Sequence, residues 1–316
     1  MYKKVVIFGG GTGLSYLLKG LKDFPVDITA VITVSDNGKS TGKLRKEFNT
    51  PAVGDIRKVI TALSGIDEPI KKMMEYRFRT SSDLDGHATG NLILTSLLDI
   101  TGSLKESIAA LSKLLDVKHT VLPISEDSSL TLMGLDKDGN VIEGEDEITK
   151  AHHKFERIYY KEEPKVLPEV LNAIKETDLI IFSMGSLYTS ILPNIICKDV
   201  QKELKTKAPI MYLCNSVTQP GETDDFAVGD HINMLNKHLE TRKIDVVIAS
   251  NSKIDKKIAE KYYTEEYKTP VKVDEKRLKE MGVELIAADL INIEDNTIRH
   301  NSLKLSTLIF NYLMRD

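Results

Sequence analysis

Lys4-Val5-Val6-Ile7-Phe8-Gly9-Gly10-Gly11-Thr12-Gly13-Leu14-Ser15 is the stretch whose reading decides the fold. Val5 to Phe8 are apolar, rich in β-branched side chains, and read as a short strand buried on both faces. Four glycines fall within the next five positions and end it. Leu14, Leu17, Leu18 and Leu21 then recur at helical spacing. The pattern is strand, glycine-rich turn, helix. Such a turn aims bare backbone N–H groups and the positive end of a helix dipole at one point, which suits a phosphate. The plainer alternative is a merely tight turn, and the loops further along the chain weigh against it.

The chain has 316 residues, enough for one large or two modest domains with a full core. Hydrophobic content of 41%, charged content of 28% and a formal charge of −4 are ordinary for a globular protein. No run of like charge resembles a nucleic-acid arm, so a nucleic-acid partner is not expected. No apolar run approaches the ~18 residues a membrane span needs. Met1 to Lys4 lead straight into the first strand, which leaves no room for a signal peptide. Cys197 and Cys214 lie in apolar surroundings without metal-ligand spacing, and read as buried free thiols of a reducing cytoplasm.

Asp27 to Val34 is a second buried strand, closed by Ser35-Asp36-Asn37-Gly38-Lys39-Ser40-Thr41-Gly42. Gly38-Lys39-Ser40 is not a P-loop, because Thr33 stands where the motif needs its first glycine. The dinucleotide fingerprint fits in part: Gly9-x-Gly11 is followed by Leu14 at the third glycine, while Asp36 ends strand two near the position of a ribose-binding carboxylate. Asp36 suits an Asx-turn as well as it suits Mg²⁺ binding or general-base work. In Gly54-Asp55-Ile56-Arg57, Asp55 is a natural N-cap and, alternatively, a second carboxylate beside Asp36. Arg57 falls in the first helical turn, where the dipole disfavours a cation and a bound anion would remove the conflict. A helix is expected over 69–79. Gly90-Asn91 then opens a second apolar helix over 92–98, and Asn91 at its mouth is a candidate ligand contact. His87 reads as a hydrogen-bonded structural histidine.

From 117 to 166 the rhythm changes to short strand-like pieces with a hairpin signal at Asp138-Gly139, read as a β-rich insertion. His152 and His153 are adjacent, diverge on any regular backbone, and are not read as metal ligands. Strands resume over 178–182, 209–214, 245–249 and 285–289, and an amphipathic helix over 302–314 closes the chain. The fold class is α/β, a Rossmann-like, doubly wound, mostly parallel sheet, with residues 1–116 and 167–316 as nucleotide-binding core and 117–166 as insertion.

The two kinds of connection differ. Helix-to-strand links such as Lys175-Glu176-Thr177 and Lys205-Thr206-Lys207 are bland, while strand-to-helix links carry the glycines, hydroxyls and amides. In an open parallel sheet all strand-to-helix loops lie along one edge, so these stretches are expected to converge on one crevice. Loop polarity in general would enrich both edges equally. Hydroxyl and N–H donors suit a diphosphate, and Arg299 or Arg57 would add charge-assisted contacts.

At these loops the chain resembles the bacterial gluconeogenesis factor (YvcK-type) family, a branch of the CofD-like proteins. The words that carry the likeness are Gly9-Gly10-Gly11-Thr12-Gly13-Leu14-Ser15, Val34-Ser35-Asp36, Gly54-Asp55-Ile56-Arg57, Gly86-His87 with Gly90-Asn91-Leu92, Gly185-Ser186-Leu187-Tyr188-Thr189-Ser190, Thr218-Gln219-Pro220-Gly221-Glu222-Thr223 and Arg299-His300. The resemblance implies a cytoplasmic, Rossmann-like protein that binds UDP-sugars such as UDP-N-acetylglucosamine and is needed for cell shape and growth on gluconeogenic carbon. Related CofD enzymes instead transfer phospholactate from a guanosine diphosphate donor. For the regulatory branch, the ligand falls to Gly10, Gly11, Thr12, Gly13, Asn91, Gly185, Ser186 and Asn215, with Arg299 adding charge. Tyr263, or its neighbour Tyr262, would stack on the base, although ordinary packing is the commoner fate of such a tyrosine. Family members commonly carry a second Asp and a Gly where this chain has Asn37 and Lys39, and Gly-Pro where it has Ser183-Met184. That departure weakens a two-carboxylate metal site.

Three functions follow. A UDP-sugar-binding regulator without turnover leads, with no required cofactor. A CofD-like transferase is the alternative, with Asp36 and Asp55 holding Mg²⁺ or accepting the acceptor's proton. An NAD-dependent oxidoreductase rests only on the partial fingerprint. The implied partners are a nucleotide-sugar ligand and a regulated protein in cell-wall precursor supply, with a second copy of the chain (a homodimer) as a further candidate.

Overall fold

The structure is a computed structural model that describes residues 2–35, 39–48, 50–151, 154–240, 242–294 and 297–315. Strand β1 (Lys3–Gly9) runs into helix α1 (Gly11–Leu21) and strand β2 (Val26–Ile32). Five helices follow: α2 (Lys39–Phe48), α3 (Gly54–Leu63), α4 (Glu68–Glu75), α5 (Thr89–Thr101) and α6 (Leu104–Leu114). The middle of the chain holds β3 (Thr120–Pro123), β4 (Leu132–Asp136), β5 (Val141–Glu143), the short α7 (Glu145–Lys150) and β6 (Phe155–Tyr160). Helix α8 (Pro168–Glu176) leads to β7 (Leu179–Phe182). A widened π-helical turn over Leu187–Ile191 continues as α9 (Leu192–Ile195), followed by α10 (Lys198–Glu203) and β8 (Ile210–Leu213). The chain ends with α11 (Val228–Leu239), β9 (Val246–Ser250), α12 (Lys256–Glu266), α13 (Glu275–Glu280), β10 (Glu284–Ala288), the hairpin β11 (Ile291–Glu294) and β12 (Thr297–His300), and α14 (Ser302–Leu313).

Seven strands form one sheet in the order β10-β9-β8-β7-β1-β2-β3, and every neighbouring pair is parallel. The central strands are apolar because helices cover both faces: Val5 to Phe8 and Leu179 to Phe182 are all at 2% exposure or less. The expected doubly wound α/β class is the observed one. The apolar stripe of α1, Leu14, Leu17, Leu18 and Leu21, is fully buried. Among the described residues no helix is long and apolar enough to cross a membrane.

The β-rich middle divides differently from the expected 117–166 insertion. Strand β3 pairs with β2 and belongs to the main sheet, where Pro123 is tolerated because β3 is the edge. The small antiparallel sheet is β5-β4-β6 alone. Its Asp138-Gly139 turn is organised by Asp136, whose carboxylate accepts from the Asp138 and Asn140 backbones at 2.8 Å each. The outer edge of β6 is tied to the core by side chains. The Phe155 N–H donates to the Tyr188 hydroxyl at 3.2 Å, and the Ile158 N–H to His238 Nε2 at 3.0 Å.

Other expectations also need correction. Helix α4 stops at Glu75, not 79, because the chain turns back on itself and the Thr89 N–H donates to the Tyr76 carbonyl. Helix α5 is less central than its composition implied: Leu94 is buried, but Ile100 is 79% exposed. The hairpin β11–β12 was not anticipated, and it places Arg299 and His300 on a strand. His152 and His153 lie outside the described residues.

Candidate functional site

Strand order reverses between β1 and β7. The chain leaves β1 toward β2 and β3, and leaves β7 toward β8, β9 and β10, so the loops at their carboxyl ends diverge and open a crevice. The glycine loop after β1 is held against the loop after β7. A Cβ on Gly9 would lie 2.1 Å from Ser183 Oγ, and one on Gly13 only 2.2 Å from the Met184 carbonyl oxygen. Packing therefore requires a glycine at both positions. Gly13 does the helix-packing work that the fingerprint assigns to a third glycine. At Gly10 four loops converge, since a Cβ there would meet Asp55 Oδ2 at 2.9 Å, Thr33 Cγ2 at 3.3 Å and Ser190 Cβ at 3.5 Å. Gly11 has φ of +58°, and Thr12 is exposed on the first turn of α1.

Helices α1, α3 and α5 begin at this rim, after Gly10, Val53 and Ala88, with no side-chain cap on their first N–H groups. Asp55 does not cap α3 as expected, because the helix starts one residue earlier. Its carboxylate, in the first turn, pairs with Lys58 at 2.9 Å and lies against Gly10 and Gly11. Arg57 is buried, with its Nε donating to Asn91 Oδ1 at 3.2 Å. Asp36 lies outside the described residues, so its pairing with Asp55 is not described either. Among the described residues no three His, Cys, Asp or Glu side chains come together as a metal site. Asp55 already holds an ammonium group, so the described residues do not fit a cation there and no step is drawn through a metal.

On the other bank, the Gly185 N–H donates to Asn215 Oδ1 at 3.0 Å, and Asn215 Nδ2 donates to the Gly185 carbonyl at 2.8 Å. Asn215 is thus a strut joining the loops after β7 and β8. Ser186 is similarly engaged: its hydroxyl donates to Glu222, 3.0 Å from both carboxylate oxygens, and accepts from the Thr189 N–H and hydroxyl. Glu222 also accepts from the Tyr188 N–H at 2.7 Å. Burial pushes its carboxyl pKa from 4.5 up to about 7, against the lowering effect of these donors. A carboxyl whose ionised form is disfavoured by burial therefore already sits at the head of the 187–195 helical segment. Sequence reasoning missed Glu222, since a glutamate in a loop of glycine, proline and threonine carries no local sign of burial.

The hairpin forms the far end of the crevice. Ser216, after β8, meets His300 Nε2 at 3.2 Å. Ser252, after β9, accepts from the Leu290 and Ile291 N–H groups at 3.0 Å each. Of the two tyrosines, Tyr262 is 5% exposed and its phenol accepts from the Ile298 N–H at 2.6 Å. It is a fastening for the hairpin. Tyr263 is 60% exposed, and Arg299 is exposed on β12. Residues far apart in sequence, Asn91, Gly10, Ser186 and Asn215, are thus linked through Arg57, Asp55, Ser190 and Gly185 along one rim.

The family model for CofD, 2-phospho-L-lactate transferase, matches residues 5–291. The chain belongs to the CofD family. Within that family it stands with the gluconeogenesis factors. It is 41% identical over 312 residues to the gluconeogenesis factor of Bacillus subtilis (strain 168), covering 98% of each chain. It is likewise 41% identical over 311 residues to the putative gluconeogenesis factor of Thermotoga maritima, covering 97% of this chain and 98% of that one. The crystal structure of protein BH3568 from Bacillus halodurans superposes with a TM-score of 0.95 at 40% identity, covering 98% of this chain and all of that one. The CofD-family doubly wound sheet is shared across that whole length.

Proposed function

We propose that this chain binds a nucleotide sugar of the UDP-N-acetylglucosamine class across the crevice. In this reading it acts in the cytoplasm as a regulator of cell-wall precursor supply, without turnover of its own, and supports cell shape and growth on gluconeogenic carbon. One observation carries the reading: three uncapped helix mouths present N–H donors along the rim, yet the carboxylates described there are committed elsewhere. Asp55 is tied to Lys58 and Glu222 is sealed under the Ser186 loop. Donors without a free acid–base pair suit binding better than proton transfer. Three strand spacings of about 4.8 Å separate β2 from β8, so the crevice spans about 14 Å from the α3 mouth to the Arg299 hairpin. That favours an extended two-part ligand over a single small anion. Tyr263 offers an exposed ring for a base at the hairpin end.

The test is calorimetric titration of the full chain with UDP-N-acetylglucosamine, with chromatography of the ligand afterwards. Binding with the ligand intact, weakened about tenfold or more by Arg299→Ala, is the expected result, since a charge-assisted hydrogen bond contributes about 1.5–3 kcal/mol. Consumption of the ligand, or no heat at all, refutes it. The family model's own name favours a second reading, a phospholactate transferase with a guanosine diphosphate donor, in which Asp36 and Asp55 would serve. Product formed from that donor, and abolished by Asp36→Ala, would establish it.

A further inference from the structure

Arg57 is 3% exposed and lies in the first turn of α3, where the helix dipole opposes a cation. Burial works against its charge, Glu75 and, more weakly, Asp55 oppose that effect and Arg77 adds to it, yet a guanidinium stays protonated at any pH at which a protein folds. A charge taken out of water in this way is costly unless a counter-charge accompanies it. Among the described residues Glu75 and Asp55 lie near enough to favour the charge, but neither hydrogen-bonds or ion-pairs with it. Asp55 is occupied by Lys58 at 2.9 Å, and the one side-chain hydrogen bond of Arg57 is that from Nε to Asn91 Oδ1 at 3.2 Å. The four N–H bonds on its two terminal nitrogens are left without an acceptor among those residues.

Asn91 repeats the pattern. It is 1% exposed, its Oδ1 is taken by Arg57, and its Nδ2 has no acceptor among the described residues. The arm is also locked in place: a Cβ on Gly90 would lie 2.8 Å from both Cγ and Cδ of Arg57 and 2.7 Å from Met74 Cε. Around this pair open the uncapped first turns of α3 and α5. A buried guanidinium, a buried amide and two helix mouths present donors and no acceptor. A structural arginine would be expected to hydrogen-bond a carboxylate or a ring of carbonyls, and among the described residues this one bonds neither.

We infer that Arg57 and Asn91, at the shared mouth of α3 and α5, hold an oxyanion of the phosphate class carried by the ligand of the crevice. The planar fork of Arg57 grips two oxygens, Asn91 Nδ2 a third, and the bound anion supplies the missing counter-charge. The subsite deepens the nucleotide-sugar reading and rests on it only for the identity of the ligand.

The experiment titrates the full chain with inorganic pyrophosphate and, separately, with UDP-N-acetylglucosamine. It compares wild type with Arg57→Met, which keeps length and loses charge, and Arg57→Lys, which keeps charge and loses the fork. Pyrophosphate should bind wild type and bind both variants at least tenfold more weakly. Without ligand, Arg57→Met should melt at or above the wild-type temperature, since an uncompensated buried charge is removed. A lower melting temperature together with unchanged pyrophosphate binding in Arg57→Lys would make the arginine structural and overturn the inference, as would wild type that ignores pyrophosphate. If Arg57→Met does not fold, the Arg57→Lys titration decides alone. Pyrophosphate binding that depends on Arg57, beside indifference to UDP-N-acetylglucosamine, upholds the subsite and rejects the nucleotide sugar. Nucleotide-sugar binding that is equal in all three proteins does the reverse.

Discussion

Replacing Glu222 with glutamine removes one titration while leaving nearly the same shape under the Ser186 loop. In the folded protein the carboxyl pKa is raised from 4.5 to about 7 by burial under the Ser186 loop. At 1.36 kcal/mol per decade of proton affinity, the full span between those values is worth about 3.4 kcal/mol. The folded state binds the proton more tightly than the unfolded chain, so this stability is fully present below pH 4.5 and is lost as pH rises through about 7. Integrated from pH 5 to pH 8.5, wild type should lose about 2.5 kcal/mol relative to Glu222→Gln. Urea unfolding of both proteins at the two pH values measures it. With a slope near 2.5 kcal/mol per molar, the wild-type midpoint should fall by about 1 M relative to the variant's. Other titrating groups act equally in both proteins and cancel in the comparison. If the two midpoints move in parallel with pH, the carboxylate is ionised at no unusual cost and the raised pKa of Glu222 is refuted.

Two further outcomes follow from the same contacts. Gly13→Ala drives a methyl group to within 2.2 Å of the Met184 carbonyl, a backbone atom that cannot swing aside. It should lower stability by about 1–3 kcal/mol, and a wild-type urea midpoint would show that the α1–β7 contact is looser than described. His300 behaves oppositely to Glu222. Burial holds its ring pKa down to about 4 from 6.5, so its stability is present above 6.5 and lost as pH falls toward 4. Between pH 7.5 and pH 5, wild type should lose about 2 kcal/mol relative to His300→Gln, read from paired urea curves, and curves that keep their separation refute the burial.

How much was legible depended on whether the cause lay in neighbouring residues. The strand Val5 to Phe8 and the stripe Leu14, Leu17, Leu18 and Leu21 specify β1 and α1 through local periodicity, and the same holds for β7, β8 and β9. A cap is also local but finer in scale, which is why Asp55 was placed as the cap of α3 and lies inside its first turn, with Val53 at the cap position. The hairpin β11–β12 escaped notice because Ile291-Asn292-Ile293-Glu294 alternates over too few residues to stand out, and its stability comes from Tyr262, Ser216 and Ser252 elsewhere in the chain.

By itself the sequence determined the parallel sheet, the edge on which the polar loops gather, and the family likeness that the comparisons uphold, because periodicity and loop chemistry act over a few residues. Only the tertiary structure decided what each polar side chain is for. Asn215 and Ser186 read as ligand contacts, and the structure adds that they brace the loops through Gly185 and Glu222. Tyr262 and Tyr263, identical in type and adjacent, separate into a fastening and an exposed ring. The reason is physical: a donor's role depends on which acceptor reaches it in space, and folding brings those acceptors from as far as 185 residues away, as it brings the Gly9 carbonyl to the amide of Asn194.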